Sequence, residues 1–159
     1  MPDLEGIIAA YGSGLARVAA SYEADPTLQE DLLQDILLAV HRALPSLKDA
    51  DRVAPFVFRI AHNRSVTHVM RQSAQRTRAV PDPVGETETP EQLLLADEKS
   101  RRLTAAVRRL PLIYRQVITL LLEELSYGEI AETLGLSLSN VGVRVNRAKA
   151  QLKALLDDR

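Results

Sequence analysis

The segment from Ser126 to Lys149 most restricts what this chain can become, because it spells two helices and the corner between them. Ser126 and Glu129 stand three apart as a Ser-x-x-Glu capping box, which fixes a helix start. Ile130, Ala131 and Leu134 then repeat at helical spacing, and Gly135 supplies the left-handed residue that stops the helix. Ser137 is placed to cap a second helix whose polar edge carries Asn140, Arg144, Arg147 and Lys149. Four basic residues and no acid fall between Asn140 and Lys153. A short helix laid across a longer basic one is the arrangement that offers a recognition helix to a DNA major groove. A helical hairpin with a solvated basic face satisfies the same capping and turn pattern.

Composition agrees with helices elsewhere. Apolar residues make up 46% of the chain, enough for a core, but aromatics are only 4% and there is no Trp. Leu, Ala, Glu and Arg dominate and β-branched runs are missing, so an all-α fold is expected. The absence of Cys excludes disulfides and thiolate metal sites and suits a reducing compartment. His41, His62 and His68 lack companions at metal-ligand spacing, so neither a metal nor a cofactor is expected. No basic stretch leads into a long apolar one at the N-terminus, and the longest apolar runs are far short of a membrane span. These features predict a soluble cytoplasmic protein without a membrane-inserted segment.

The net charge of −1 conceals a pattern. Residues 1–80 carry nine basic and nine acidic groups, residues 81–98 none and six, and residues 99–159 eleven and six. Between Asp51 and Asp82 there is no acid, while Arg52, Arg59, Arg64, Arg71, Arg76 and Arg78 all occur. Phosphate responds to the local charge of a stripe or groove, so a neutral total does not exclude nucleic acid.

Punctuation divides the chain into two helical modules. A first helix is expected over Leu4 to Ala20, with a break near Gly12-Ser13-Gly14. A second is expected to start at Asp25-Pro26-Thr27, capped by Thr27 with Glu30, and to stop before Pro45. Its apolar face is Leu28, Leu32, Leu33, Ile36, Leu37 and Val40. Residues 45–54 read as a polar loop, and a third helix is expected over Pro55 to Gln75. Residues 79–89 have no apolar period and read as a flexible acidic linker. Thr89-Pro90-Glu91-Gln92 signals a new helix start, Pro111 ends that helix, and Leu112 to Leu125 forms the next. The expected domains are thus 1–78 and 90–159, joined through 79–89.

With both modules in view, the chain resembles the small sigma-70-family factors of the extracytoplasmic function group. Asp31-Leu32-Leu33-Gln34-Asp35-Ile36 is similar to the Asp-x-x-Gln-Glu/Asp signature of the family's region two. Phe56-Val57-Phe58-Arg59-Ile60-Ala61-His62-Asn63-Arg64 is similar to its aromatic-x-x-Arg-Ile-Ala-x-Asn run. Leu110-Pro111 with Tyr114-Arg115, then Leu125-Ser126-Tyr127 with Glu129-Ile130-Ala131, and finally Asn140-Val141, Arg144 and Arg147-Ala148-Lys149, resemble region four. The order of these motifs along almost the whole chain makes the resemblance specific.

The resemblance implies a promoter-specificity subunit and not an enzyme, with no small-molecule substrate. Its partners would be core RNA polymerase, through the β′ clamp helices and the β subunit, promoter DNA and an anti-sigma factor. Asp31, Gln34 and Asp35 would dock on the polymerase, although a solvated helix face explains the same three residues. Lys48, Arg52, Arg59, Asn63, Arg64 and Arg71 would grip the minus-ten element, where melted DNA needs cations for the backbone and a pocket for a splayed base. Phe56 and Phe58 read as core residues. Ser139, Asn140, Arg144, Arg147 and Lys149 would meet the minus-thirty-five duplex. Arg144 is the expected base reader, and Ser139, Arg147 and Lys149 the phosphate grips. The acidic linker would mimic nucleic acid inside the polymerase, or serve only as a tether.

Phe56 stands where Trp is usual, Thr67 for an Asp, Met70 for an Arg, and Gly142 and Val143 for a basic residue and a Ser. An intact docking geometry with an unusual minus-thirty-five preference is therefore expected. A stand-alone helix-turn-helix regulator, or a sigma mimic that titrates an anti-sigma factor, would share much of this pattern.

Overall fold

A computed structural model describes residues 2–78 and 98–157, and the side chains of residues 76–78 lie outside that description. All regular structure among the described residues is helical: α1 (Leu4–Tyr22), α2 (Pro26–Ala43), two 3₁₀ turns (Leu44–Ser46 and Ala50–Arg52), α3 (Val53–Arg78), α4 (Glu98–Arg109), α5 (Leu112–Leu122), α6 (Tyr127–Leu134) and α7 (Leu138–Asp157). The linker expected at 79–89 and the helix start at Thr89–Gln92 fall outside the described residues.

The helices form two groups. In the first, α1, α2 and α3 pack on one another around Leu15, Leu32, Ile36, Val40 and Val57, all fully or almost fully buried. In the second, α5 and α7 pack together, with α4 and α6 against them, around Val107, Val117, Ile130, Val141 and Val145. Branched aliphatic residues fill both centres, consistent with a chain that has few aromatics.

Local chemistry places most boundaries. Asp3 caps α1 by accepting the Gly6 N–H at 2.8 Å. The second helix is capped by Asp25, not by the expected Thr27: its carboxylate accepts from Thr27 N–H at 2.9 Å and Leu28 N–H at 3.4 Å. Pro26 explains the difference, because a proline at the first helical position leaves the residue before it as the cap. Gln29 then donates to the Glu23 carbonyl at 2.7 Å, and Glu23 accepts from the Asp25 N–H and contacts His68 Nε2 at 2.8 Å. This one buried carboxylate ties the α1–α2 corner to α3.

The expected break at Gly12-Ser13-Gly14 is absent, and α1 runs through it. Gly14 instead marks a close approach. A Cβ there would lie 2.6 Å from Glu123 Oε1 and 3.3 Å from Phe58 Cζ. Glu123 belongs to the end of α5 and is bound by Arg17 through two hydrogen bonds, Nε at 2.8 Å and Nη2 at 2.7 Å. Arg108 of α4 donates to the Ala20 carbonyl at 2.6 Å, and the Arg115 guanidinium lies 5.5 Å from the Tyr22 ring centroid. The two groups therefore share an interface along one face of α1, and α6 also packs against α3. Within it, burial pushes the Tyr22 phenol up to about 12, against the opposing pull of Thr119 and Arg115.

Candidate nucleic-acid and polymerase interface

The C-terminal corner follows the capping pattern. The Ser126 N–H donates to Glu129 Oε1 at 2.9 Å and the Glu129 N–H donates to Ser126 Oγ at 3.1 Å, so both halves of the capping box are made. Gly135 closes α6 in the left-handed conformation at φ 68°. Ser137 Oγ accepts from the Asn140 N–H at 3.1 Å and starts α7. Helix α5 is shorter than expected and ends at Leu122, because Glu124 adopts φ 67° and turns the chain. The Leu125 N–H returns to the Leu120 carbonyl at 3.2 Å, which completes a Schellman-type end with a glutamate in the place glycine favours.

Helix α7 buries Val141, Val145 and Ala148 and leaves Ser139, Asn140, Val143, Arg147 and Lys149 exposed. Four of the five residues expected at the minus-thirty-five element are thus fully presented. Arg144, the expected base reader, is only half-exposed and lies on the flank beside the buried line. At the far end, Arg102 of α4 donates to the Leu156 carbonyl at 3.2 Å and satisfies a terminal acceptor of α7.

The first module presents its charges on two neighbouring helices. On α2, Asp31, Gln34 and Asp35 are exposed at helical spacing, opposite Leu32, Ile36 and Val40. Leu38 completes this row and is 47% exposed, so the acidic face carries an apolar side chain that the sequence reading did not single out. A leucine three residues after Asp35 was the available signal.

Lys48, Arg52 and Arg59 come together around one cleft of about 320 Å³, together with Asp49, Phe56 and Glu132. Phe58 is a core residue as expected, but Phe56 is only half-buried and contributes a wall of this cleft. Glu132 comes from α6, where it forms an ion pair with Arg52 and raises the affinity of that guanidinium for its proton. Asn63 is exposed one turn beyond Arg59. Arg64 and Arg71 lie on a second line of α3, about 100° further round the helix. Arg64 Nη1 stands 3.7 Å from Asp35 Oδ1, so the basic helix and the acidic face of α2 adjoin.

Among the described residues no group of three or more His, Cys, Asp or Glu could hold a metal ion, and no helix is long and apolar enough to cross a membrane. His62 lies half-buried on α3, and burial pushes its imidazole below the ordinary value.

Comparison with known proteins agrees with this geometry. Residues 7–75 match the family model of sigma-70 region 2, and residues 100–152 match that of sigma-70, region 4. The chain is 31% identical to the RNA polymerase sigma factor NccH of Alcaligenes xylosoxydans xylosoxydans over 94% of its own length and 84% of that protein's. Among solved structures, CnrH in complex with the cytosolic domain of CnrY superposes with a TM-score of 0.71 at 29% identity, covering 98% of this chain and 89% of CnrH. The sigma factor RpoE of Bartonella quintana, in complex with the anti-sigma factor NepR, shares the fold at a TM-score of 0.78 and 20% identity, with 98% of each chain covered.

Proposed function

This chain belongs to the extracytoplasmic function group of the sigma-70 family, and from that premise we propose that it binds core RNA polymerase and directs promoter-specific initiation. One observation carries the reading. The chain presents an acidic face with an exposed leucine on α2, a cation-lined cleft beside α3 and an exposed basic edge on α7. Each surface suits a different part of one task.

Asp31, Gln34 and Asp35 with Leu38 suit a basic helical partner that also offers apolar surface, as the β′ clamp helices would. Lys48, Arg52 and Arg59 around the cleft suit single-stranded minus-ten DNA: the cations hold the backbone and Phe56 offers a wall for an unstacked base. Asn63 continues that track along α3, and Arg64 and Arg71 add cations on the neighbouring line of the same helix. For Arg52 to reach phosphate its pair with Glu132 has to open, and likewise Arg64 has to leave Asp35. Helix α7 suits the minus-thirty-five duplex, with Ser139, Asn140, Arg147 and Lys149 on the exposed side and Arg144 reaching from the flank. No step of this task needs a catalytic group in the chain, and the protein would act in the cytoplasm.

An anti-sigma factor is part of the proposal. The protein in the RpoE complex that shares this fold is bound by one. The shared face of α1, α4 and α5 gives such a partner a closed arrangement of the two modules to hold.

The test separates the surfaces. Asp31→Ala with Asp35→Ala is expected to lower affinity for core polymerase without altering binding to minus-thirty-five duplex. Arg144→Ala is expected to alter promoter choice while core binding stays intact. Unchanged core affinity in the first variant would remove the polymerase-docking role from α2.

A further inference from the structure

Val143 stands at the centre of the exposed side of the recognition helix. At about 100° per residue, the buried line Val141, Val145 and Ala148 defines one side of α7, and Val143 lies almost directly opposite its mean direction. Ser139, Asn140 and Arg147 surround it and all are exposed, while Arg144 sits toward the core. Val143 itself is 46% exposed.

A single exposed valine is common on protein surfaces. Its placement sets this one apart. It occupies the middle of a face that is otherwise polar and basic, in the N-terminal half of the helix that a helix-turn-helix directs at base edges. The side chain is β-branched and therefore stiff in a helix, so its methyl groups are held in a nearly fixed direction. Beside it, a Cβ added to Gly142 would meet nothing within 4 Å. The helix thus has a bare strip next to an apolar knob, at the helix-propensity cost that an internal glycine carries.

We propose that Val143 is a base-reading residue of this protein and recognises a thymine through its 5-methyl group in the major groove, with Gly142 leaving room for close approach. The inference rests on the reading that α7 enters promoter duplex. The chemistry follows from what the groove displays. Thymine is marked there by a carbonyl oxygen and a methyl group, and the methyl is the feature that an apolar side chain can read. Valine has no hydrogen-bonding group with which to tell guanine, adenine or cytosine apart. Arg147, exposed one turn further along the same side, and Lys149, exposed on the flank, with no acid between residues 140 and 153, supply the attraction that brings phosphate to this helix.

The experiment uses the holoenzyme reconstituted from core polymerase and the full chain. It selects bound fragments from a library randomised over the upstream promoter element. Each thymine of the selected element is then replaced by deoxyuridine, which lacks only the methyl group. With wild type, one replacement is expected to weaken binding about fourfold, the equivalent of one buried methyl-sized group. Val143→Ala, which withdraws both γ-methyl groups, is expected to lose most of that penalty and to relax selection at that position alone. Val143 is exposed, so the variant should fold as the wild type does.

Two results overturn the proposal. One is wild-type indifference to deoxyuridine at every thymine. The other is an equal loss in wild type and Val143→Ala, which gives the methyl contact to another residue. Failure of the wild-type holoenzyme to enrich any fragment has a separate meaning, since it removes the promoter-binding reading itself and the proposal with it.

Discussion

Gly14→Ala should destabilise the wild-type protein yet stabilise a variant that lacks the Glu123 side chain. The new Cβ would lie 2.6 Å from Glu123 Oε1 and 3.4 Å from Glu123 Cδ. The carboxylate cannot move away freely, because its side chain is only 7% exposed and Arg17 holds both oxygens. Displacing it costs roughly 1–3 kcal/mol for overpacking. Loosening the ion pair adds about 1 kcal/mol at most, a figure kept low because the Arg17 side chain is 63% exposed and largely screened by solvent. Against these stands a gain of about 1 kcal/mol when alanine replaces glycine inside a helix. The net effect in wild type is a loss of about 1–2 kcal/mol.

In a Glu123→Ala background the obstructing carboxylate is gone, and only Phe58 Cζ at 3.3 Å remains near the new methyl. The helix gain then dominates, and Gly14→Ala should stabilise by roughly 0.5–1 kcal/mol. The coupling between the two sites is therefore about 2 kcal/mol, measurable from urea unfolding midpoints of the four proteins with equal m values. An effect of the same sign and size in both backgrounds would refute the packing of α1 against the end of α5.

Two further perturbations test the same interface and its turn. The Tyr22 phenol is raised from its ordinary value of 10.0 to about 12, chiefly by burial, so the unfolded chain loses this proton first as pH rises. Its stability contribution is complete below pH 10.0 and is lost as pH climbs through about 12. Tyr22→Phe should flatten the alkaline decline in unfolding free energy over that window and remove a late step from the tyrosinate absorbance titration. Glu124 holds φ 67°, a conformation that costs a residue with a side chain about 1 kcal/mol, so Glu124→Gly should raise the urea midpoint by a corresponding amount.

Short-range chemistry was the most legible part of the sequence. Ser126 with Glu129, Gly135 and Ser137 each act within three residues or on their own backbone, and each does in the structure what its spacing implies. The all-helical composition was equally readable. Pro26 also carried the information that Asp25 is the cap, since proline at the first turn leaves the preceding residue to accept the free N–H groups.

Long-range partners were not legible. Gly12-Ser13-Gly14 resembles a helix break because glycine is a poor helix former, yet α1 runs through it, and the close approach of Glu123 shows that Gly14 serves packing and not a break. The pairs Arg52–Glu132 and Arg64–Asp35 likewise cross between elements, and the second brings a residue read as DNA-facing into contact with one read as polymerase-facing. Leu38 escaped notice because it falls outside the buried stripe of α2, whereas Val143 was legible as a departure but its central place on the exposed side depends on where the buried line of α7 runs.

The most direct test of the account is run-off transcription with bacterial core RNA polymerase on a genomic template library, with and without this protein. The account predicts discrete transcripts whose starts share an upstream and a minus-ten element and that core polymerase alone does not make. Identical transcripts in both reactions would contradict it.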